Sequence, residues 1–305
     1  MDETLAEGAR KYLDPALLAR ITGLDLRARL LVEGYISGMH RSPYHGFSVE
    51  FAEHRQYTSG DDLKHLDWKV FGRTDKLYVK QYEEETNLTC LLVLDCSESM
   101  SYRSDGAPMS KHEYATALGA AIAYLALHQQ DSVGLATFDA GISRYLRPSN
   151  SQAHWSTLVH EMERGIGPKK TSMLDMLNDL AERSGRRALI VILSDMFDAP
   201  TRIIQGLRKL RYRKHEVILF QVMDPAELTF GFRGPVLFQG MEETGDLFAD
   251  AGGLRRRYLE EVEEFLATLR RSCTNLRIDY TVFDTSKPMD TALSTFLATR
   301  SSRLK

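Results

Sequence analysis

Four consecutive apolar residues, Leu91 to Leu94, constrain this chain more than any other stretch. With Leu88, Thr89 and Cys90 before them, they predict a strand buried on both faces, as in a parallel sheet. The run continues as LLVLDCSESM, so the strand ends in an acid and two spaced hydroxyls: Asp95, Ser97 and Ser99. In open α/β sheets ligands gather at the carboxyl ends of the strands, which places an expected site at this loop. One carboxylate and two neutral hydroxyls are hard oxygen donors of low total charge, and such a set suits Mg²⁺ or Mn²⁺. An ion held this way is short of negative charge and seeks another anion from outside, which favours docking over catalysis. Taken alone, the same residues also read as ordinary loop and helix-cap material.

The remainder of the chain supports an α/β reading. Residues 1–43 read as a helical segment: Asp14 and Pro15 form a cap, Leu17, Leu18 and Ile21 a short helix, and Leu31, Tyr35 and Met39 a second one. Residues 44–87 read as a β-rich region, with strands in GFSVEFAEHRQY and DKLYVKQYEEE, a turn at TSGDD, and Trp68 and Phe71 as anchors. From residue 88 to 305 strands alternate with helices. KHEYATALGAAIAYLALHQQ presents Tyr114, Leu118, Ile122 and Leu125 on one helical face. DSVGLATF and ISRYL form a hairpin, RALIVILSD and HEVILFQVM are buried strands, and LRIDYTVFD is the last strand. Between residues 224 and 253, PVLFQGM and DLFA suggest a hairpin on the sheet edge. This order predicts a Rossmann-like α/β sandwich with a mostly parallel sheet.

Composition narrows the function classes. The chain has 305 residues and a formal net charge of −3, which gives no general attraction to nucleic acid. Its two basic runs, 208–214 and 255–257, read as solvated helix faces. No apolar run approaches the roughly eighteen residues of a membrane span, and MDETLAEGARKYLD lacks a signal-peptide pattern. Cys90, Cys96 and Cys273 have no C-x-x-C spacing and read as reduced thiols, so the expected location is cytoplasmic. Cys96 lies inside the candidate loop, but no partner histidine is evident, so it is expected to be a bystander.

Two further positions extend the oxygen-rich loop. Thr171 stands where a loop enters a helix, and Asp195 ends the RALIVILSD strand. Loops from neighbouring strand ends converge in a doubly wound sheet, so Asp95, Ser97, Ser99, Thr171 and Asp195 are expected to face one point. This order along the chain resembles the metal-ion-dependent adhesion site (MIDAS) of von Willebrand factor A domains. The blocks FAEHRQYTSGDDLKHLDWKVFGRTDKLYVKQYEEET and KHEYATALGAAIAYLALHQQDSVGLATFD also resemble the bacterial family called domain of unknown function 58. That resemblance, over about residues 44–284, implies a von Willebrand factor A-like domain preceded by a family-specific strand region. It further implies association with AAA+ ATPases of the MoxR class. The chain departs from the family pattern in lacking membrane helices, and in carrying Lys169 and Lys170 before Thr171 where glycines are common, a charge that would weaken an ion.

The expected function is a non-enzymatic, metal-dependent protein-interaction module whose partner supplies an acidic side chain. Two alternatives stand beside it. A phosphohydrolase of the haloacid dehalogenase type would use Asp95 as nucleophile, but it needs a second acid two residues later, where this chain has Ser97. A scaffold that holds no metal is the other.

Overall fold

Asp14 starts the first described helix, α1 (Pro15–Leu18): its carboxylate accepts the amide of Ala16 at 2.9 Å. Pro15 takes the first helical position, where its fixed φ and missing N–H cost nothing. Gly23, at φ +91°, turns the chain into α2 (Leu24–Met39). Leu24, Ala28, Leu31, Val32 and Tyr35 are buried along it, a stripe at helical spacing that packs on the main core. Polar contacts fix the same docking: the Trp155 indole donates to Asp25 at 2.6 Å and the Tyr35 hydroxyl to Ser294 at 3.2 Å.

The structure is a computed structural model that describes residues 14–39, 54–56, 78–80, 88–167, 172–185, 187–240 and 245–303. It divides into two compact units, one of residues 1–41 and 88–305, the other of residues 42–87. In the smaller unit, β1 (His54–Gln56) and β2 (Tyr78–Lys80) form an antiparallel ladder, with Arg55 opposite Val79. Trp68 and Phe71, expected as anchors there, lie outside the described residues.

The larger unit is built on β3 (Thr89–Asp95), and its side chains alternate between two cores. Cys90, Leu92 and Leu94 enter one, while Leu91 and Val93 enter the other. Each such side chain, removed from water, contributes about 1.5–3 kcal/mol. Helix α3 (Lys111–His128) covers the first face. Ser110 and Glu113 close a capping box at its start, and its alanines are buried nearly all round because α2 lies on its outer side.

Strands β4 (Ser132–Phe138) and β5 (Ile142–Ser149) form the expected hairpin. After α4 (Gln152–Met162) and α5 (Met173–Arg183) come β6 (Leu189–Ser194), α6 (Pro200–Tyr212) and β7 (Glu216–Met223). Then follow the short α7 (Pro225–Thr229), β8 (Pro235–Phe238), β9 (Leu247–Asp250), α8 (Ala251–Asn275), β10 (Asp279–Asp284) and α9 (Asp290–Arg303). The main sheet has the order β10-β7-β6-β3-β4-β5, and only β5 runs antiparallel. This is the expected α/β sandwich with a mostly parallel sheet, and β3 lies at its centre.

One expectation is corrected. The β8–β9 hairpin is not on the edge of the main sheet; it is a separate two-stranded sheet. β10, reached through the 25-residue helix α8, takes the edge place beside β7. The aromatic ring of Phe238 stacks on Phe230 instead, with Phe232 and Tyr258 closing a small cluster at the base of the hairpin.

Candidate metal and docking site

Four adjacent parallel strands reach aspartates at or just past their carboxyl ends. Asp95 ends β3, Asp195 follows β6, Asp224 follows β7 and Asp284 ends β10. The parallel register pairs Leu94 with Leu193, so Asp95 emerges beside Ser194 and one step before Asp195.

Asp95 is 1% exposed, and both its oxygens already receive donors. One accepts the Ser97 amide at 2.9 Å; the other accepts the Ser194 hydroxyl. Burial, with the negative charge of Asp195 nearby, pushes its carboxyl up to about 7 despite these bonds. The hydroxyls of Ser97 and Ser99 lie 3.1 Å apart and are both buried. In an octahedron of oxygens about 2.1 Å from Mg²⁺, adjacent ligands are about 3.0 Å apart, so this hydroxyl pair fits two neighbouring vertices. Asp95, Ser97 and Ser99 thus lie together in the loop that follows β3, linked through Ser97. Thr171, like Lys169 and Lys170, lies outside the described residues.

Asp195 is where the expected site meets a complication. Its Oδ2 accepts Nζ of Lys111 at 2.8 Å, and the same ammonium donates to Glu227 at 2.6 Å. Lys111 is 2% exposed. Burial alone would lower its pKa, but Asp195 and Glu227 outweigh that penalty and hold the ammonium charged. Glu227 is itself raised by burial, with Lys111 opposing. So Asp195 could serve an ion only while sharing its charge with a cation that the chain already supplies. A carboxylate oxygen has two lone pairs, so the two uses are not exclusive. The Ser97–Ser99 hydroxyl pair has the spacing of two neighbouring oxygen ligands, while Asp195 is already engaged by Lys111. Among the described residues no group of three or more His, Cys, Asp and Glu side chains is arranged around a metal position.

Several residues of this site carried no sequence signal as a group. Lys111, Glu227 and Ser194 join it from three different elements, and Gln221 fixes the backbone by donating to the Asp195 carbonyl at 2.9 Å. Met196 follows at φ +59°, a conformation few non-glycine residues adopt, and its amide donates to the Ser194 hydroxyl at 2.9 Å. Two local signals did exist: the Ser-x-x-Glu box at Ser110, and Asp-Pro-x-Glu at Asp224, which caps α7 and presents Glu227.

The partner histidine not evident in the sequence is present. His112 Nε2 lies 3.7 Å from the sulfur of Cys96, and both side chains are buried. Burial pushes the thiol up to about 12, with Asp95 and Asp139 adding to it, and pulls the imidazole down to about 4. The pair is therefore thiol and neutral imidazole, without the thiolate that nucleophilic catalysis requires.

Residues 53–265 match the sequence profile of the family described as "Protein of unknown function DUF58". The chain belongs to the DUF58 family. A relative, the uncharacterized protein Rv1480 of Mycobacterium tuberculosis, is 28% identical over 232 residues, which is 75% of this chain and 72% of that protein. Among solved structures, BatB from Bacteroides thetaiotaomicron matches 70% of this chain and 99% of its own at 14% identity and a TM-score of 0.48. The SpRpn10 VWA domain matches 68% of this chain and 94% of its own at 11% identity and a TM-score of 0.39. The von Willebrand factor A-like fold of this DUF58 chain rests on its own strand order, with β3 central and one antiparallel edge. Among the described residues no helix is long and apolar enough to cross a membrane.

Proposed function

We propose that this DUF58 chain is a non-enzymatic protein-interaction module whose docking face is the carboxyl edge of the main sheet. Asp95, Ser97 and Ser99 would hold a Mg²⁺ or Mn²⁺ ion there, with Asp195 and Thr171 completing the set. The ion would supply an electrophilic centre for a carboxylate of the partner. The observation that carries this reading is the 3.1 Å hydroxyl pair beside a buried carboxylate. Family resemblance makes an AAA+ ATPase of the MoxR class the first partner to try. Three buried cysteines, none in a disulfide, support a reducing, cytoplasmic setting.

A non-enzymatic role is supported by chemistry. A phosphohydrolase using Asp95 needs a second acid two residues on, and Ser97 cannot move a proton in that way. A metal-free scaffold remains the second reading, because Lys111 already pairs with both Asp195 and Glu227.

Titration calorimetry separates the two. The metal-dependent reading expects one Mg²⁺ or Mn²⁺ to bind per chain at millimolar ion, and the heat to vanish in Asp95→Ala and Ser97→Ala. An equal absence of heat in the unmutated, folded chain leaves the scaffold reading in its place.

A further inference from the structure

Beside Asp195 the structure opens a cleft of about 910 Å³ between the start of α6 and the middle of α8. Its lining includes the apolar Met223, Val262 and Phe265, the nearly buried Asp198, and the exposed Glu261 and Glu264. Phe197, two residues after Asp195, lines the cleft with 66% of its surface exposed. Leaving a phenyl ring in water costs about 1.5–3 kcal/mol against burying it, so this ring is a ready anchor for another surface.

Charge decides what fits. Arg202 is the cation lining the cleft, and it is already committed: it lies 3.6 Å from Asp198 and donates to Ser172. Glu227, on the inner wall, is answered by Lys111. Glu261 and Glu264 stand exposed, three apart on one face of α8, and have no ion pair among the described residues. An apolar trough with two uncompensated carboxylates on its rim is complementary to an apolar side chain flanked by cations.

We propose that this cleft docks a short segment of a partner protein in which an aromatic or aliphatic residue is flanked by arginine or lysine. The apolar residue enters the trough against Phe197 and Phe265. The flanking cations reach Glu261 and Glu264. This rests on the docking-face reading of the sheet edge; of the described residues proposed for the ion, Asp195 also lines the cleft, whereas Asp95, Ser97 and Ser99 do not. A partner would meet the edge at two places, an acidic side chain at the Asp95 loop and a basic-apolar segment next to it.

The test selects peptides from a random display library on the full chain, once in EDTA and once with Mg²⁺, and measures the enriched peptides by fluorescence anisotropy. The expected result is enrichment of an apolar residue bracketed by Arg or Lys under both conditions. Phe197→Ser and the double variant Glu261→Lys, Glu264→Lys should each weaken those peptides about tenfold or more, the scale of an interface anchor. These side chains are exposed, so circular dichroism should show both variants folded. An enriched set without that pattern overturns the proposal, and so does a set whose affinity both cleft variants leave unchanged. Loss of calorimetric Mg²⁺ binding with the peptide result intact would instead remove only the metal-dependent reading.

Discussion

Nζ of Lys111 lies 2.8 Å from Oδ2 of Asp195, and both side chains are almost wholly withdrawn from solvent. A buried pair adds little over a well-packed apolar pair, but breaking one side strands the other charge. Lys111→Met should therefore lower stability by about 3–5 kcal/mol in EDTA, because Asp195 and Glu227 lose the cation they share. Urea unfolding reads this directly. Millimolar Mg²⁺ should return part of the loss if an ion can use the freed Asp195; an unchanged midpoint argues for the scaffold reading.

The interaction reading makes a sharper demand on the Asp95 loop. Asp95→Ala and Ser97→Ala should each abolish association with a MoxR-type ATPase in biolayer interferometry, and EDTA should act like either change. Cys96→Ser should alter nothing, since its thiol is held protonated and serves no ligand. Binding that persists in EDTA would sink the metal-dependent form of the idea.

His112 predicts a pH dependence. Its folded pKa is lowered from 6.5 to about 4 by burial, so it remains neutral in the fold while the unfolded chain takes up a proton. Its contribution is fully present above about pH 6.5 and is lost as pH falls towards 4, to a total of about 3 kcal/mol. Asp95, raised by burial, has the opposite slope over a similar range. Denaturant midpoints between pH 4 and 7 should therefore be compared in Asp95→Asn with and without His112→Asn. The rise with pH should be present in the first and absent in the second.

Helix packing beside the site offers a control on stability alone. A Cβ placed on Gly206 of α6 would meet Leu177 of α5 at 2.6–2.7 Å, including the Leu177 Cβ, which cannot swing away. Gly206→Ala should force the helices apart and cost about 1–3 kcal/mol, seen as a lower thermal midpoint. Calorimetric ion binding at the Asp95 loop should be unaffected while the chain is folded.

The central strand, its neighbours and the Asp95 loop were legible because each is written in a short contiguous stretch. Leu91–Leu94 could only be buried on both sides, and the acid and hydroxyls follow within five residues. Lys111 was not legible. A lysine in the first turn of a helix opposes the dipole and reads as a solvated surface charge. Its burial depends on Asp195, 84 positions away, and Glu227, 116 positions away. His112 was hidden in the same way, one residue further along the same helix. The β8–β9 hairpin was recognised as local pairing, but its attachment was not, since the ring cluster around Phe230 and not a hydrogen-bonded ladder decides where it rests.

The locked pairing of β3 with β6 has a consequence for how this chain can change over generations. Leu94 faces Leu193, and the side chains beyond them point where the pleat sends them. Exchanging one apolar residue for another inside these strands keeps that aim. Adding or deleting a single residue in Thr89–Asp95 or Leu189–Ser194 reverses it, turning Asp95 or Asp195 toward the opposite helix layer. A change of length in the turn between Tyr102 and Ser110 leaves the pleat alone, although the buried Met109 and the bond from the Ser104 amide to Asp224 tie that turn to the fold. Descendants that keep the docking edge are thus expected to vary in spelling within the two strands, and in length only outside them.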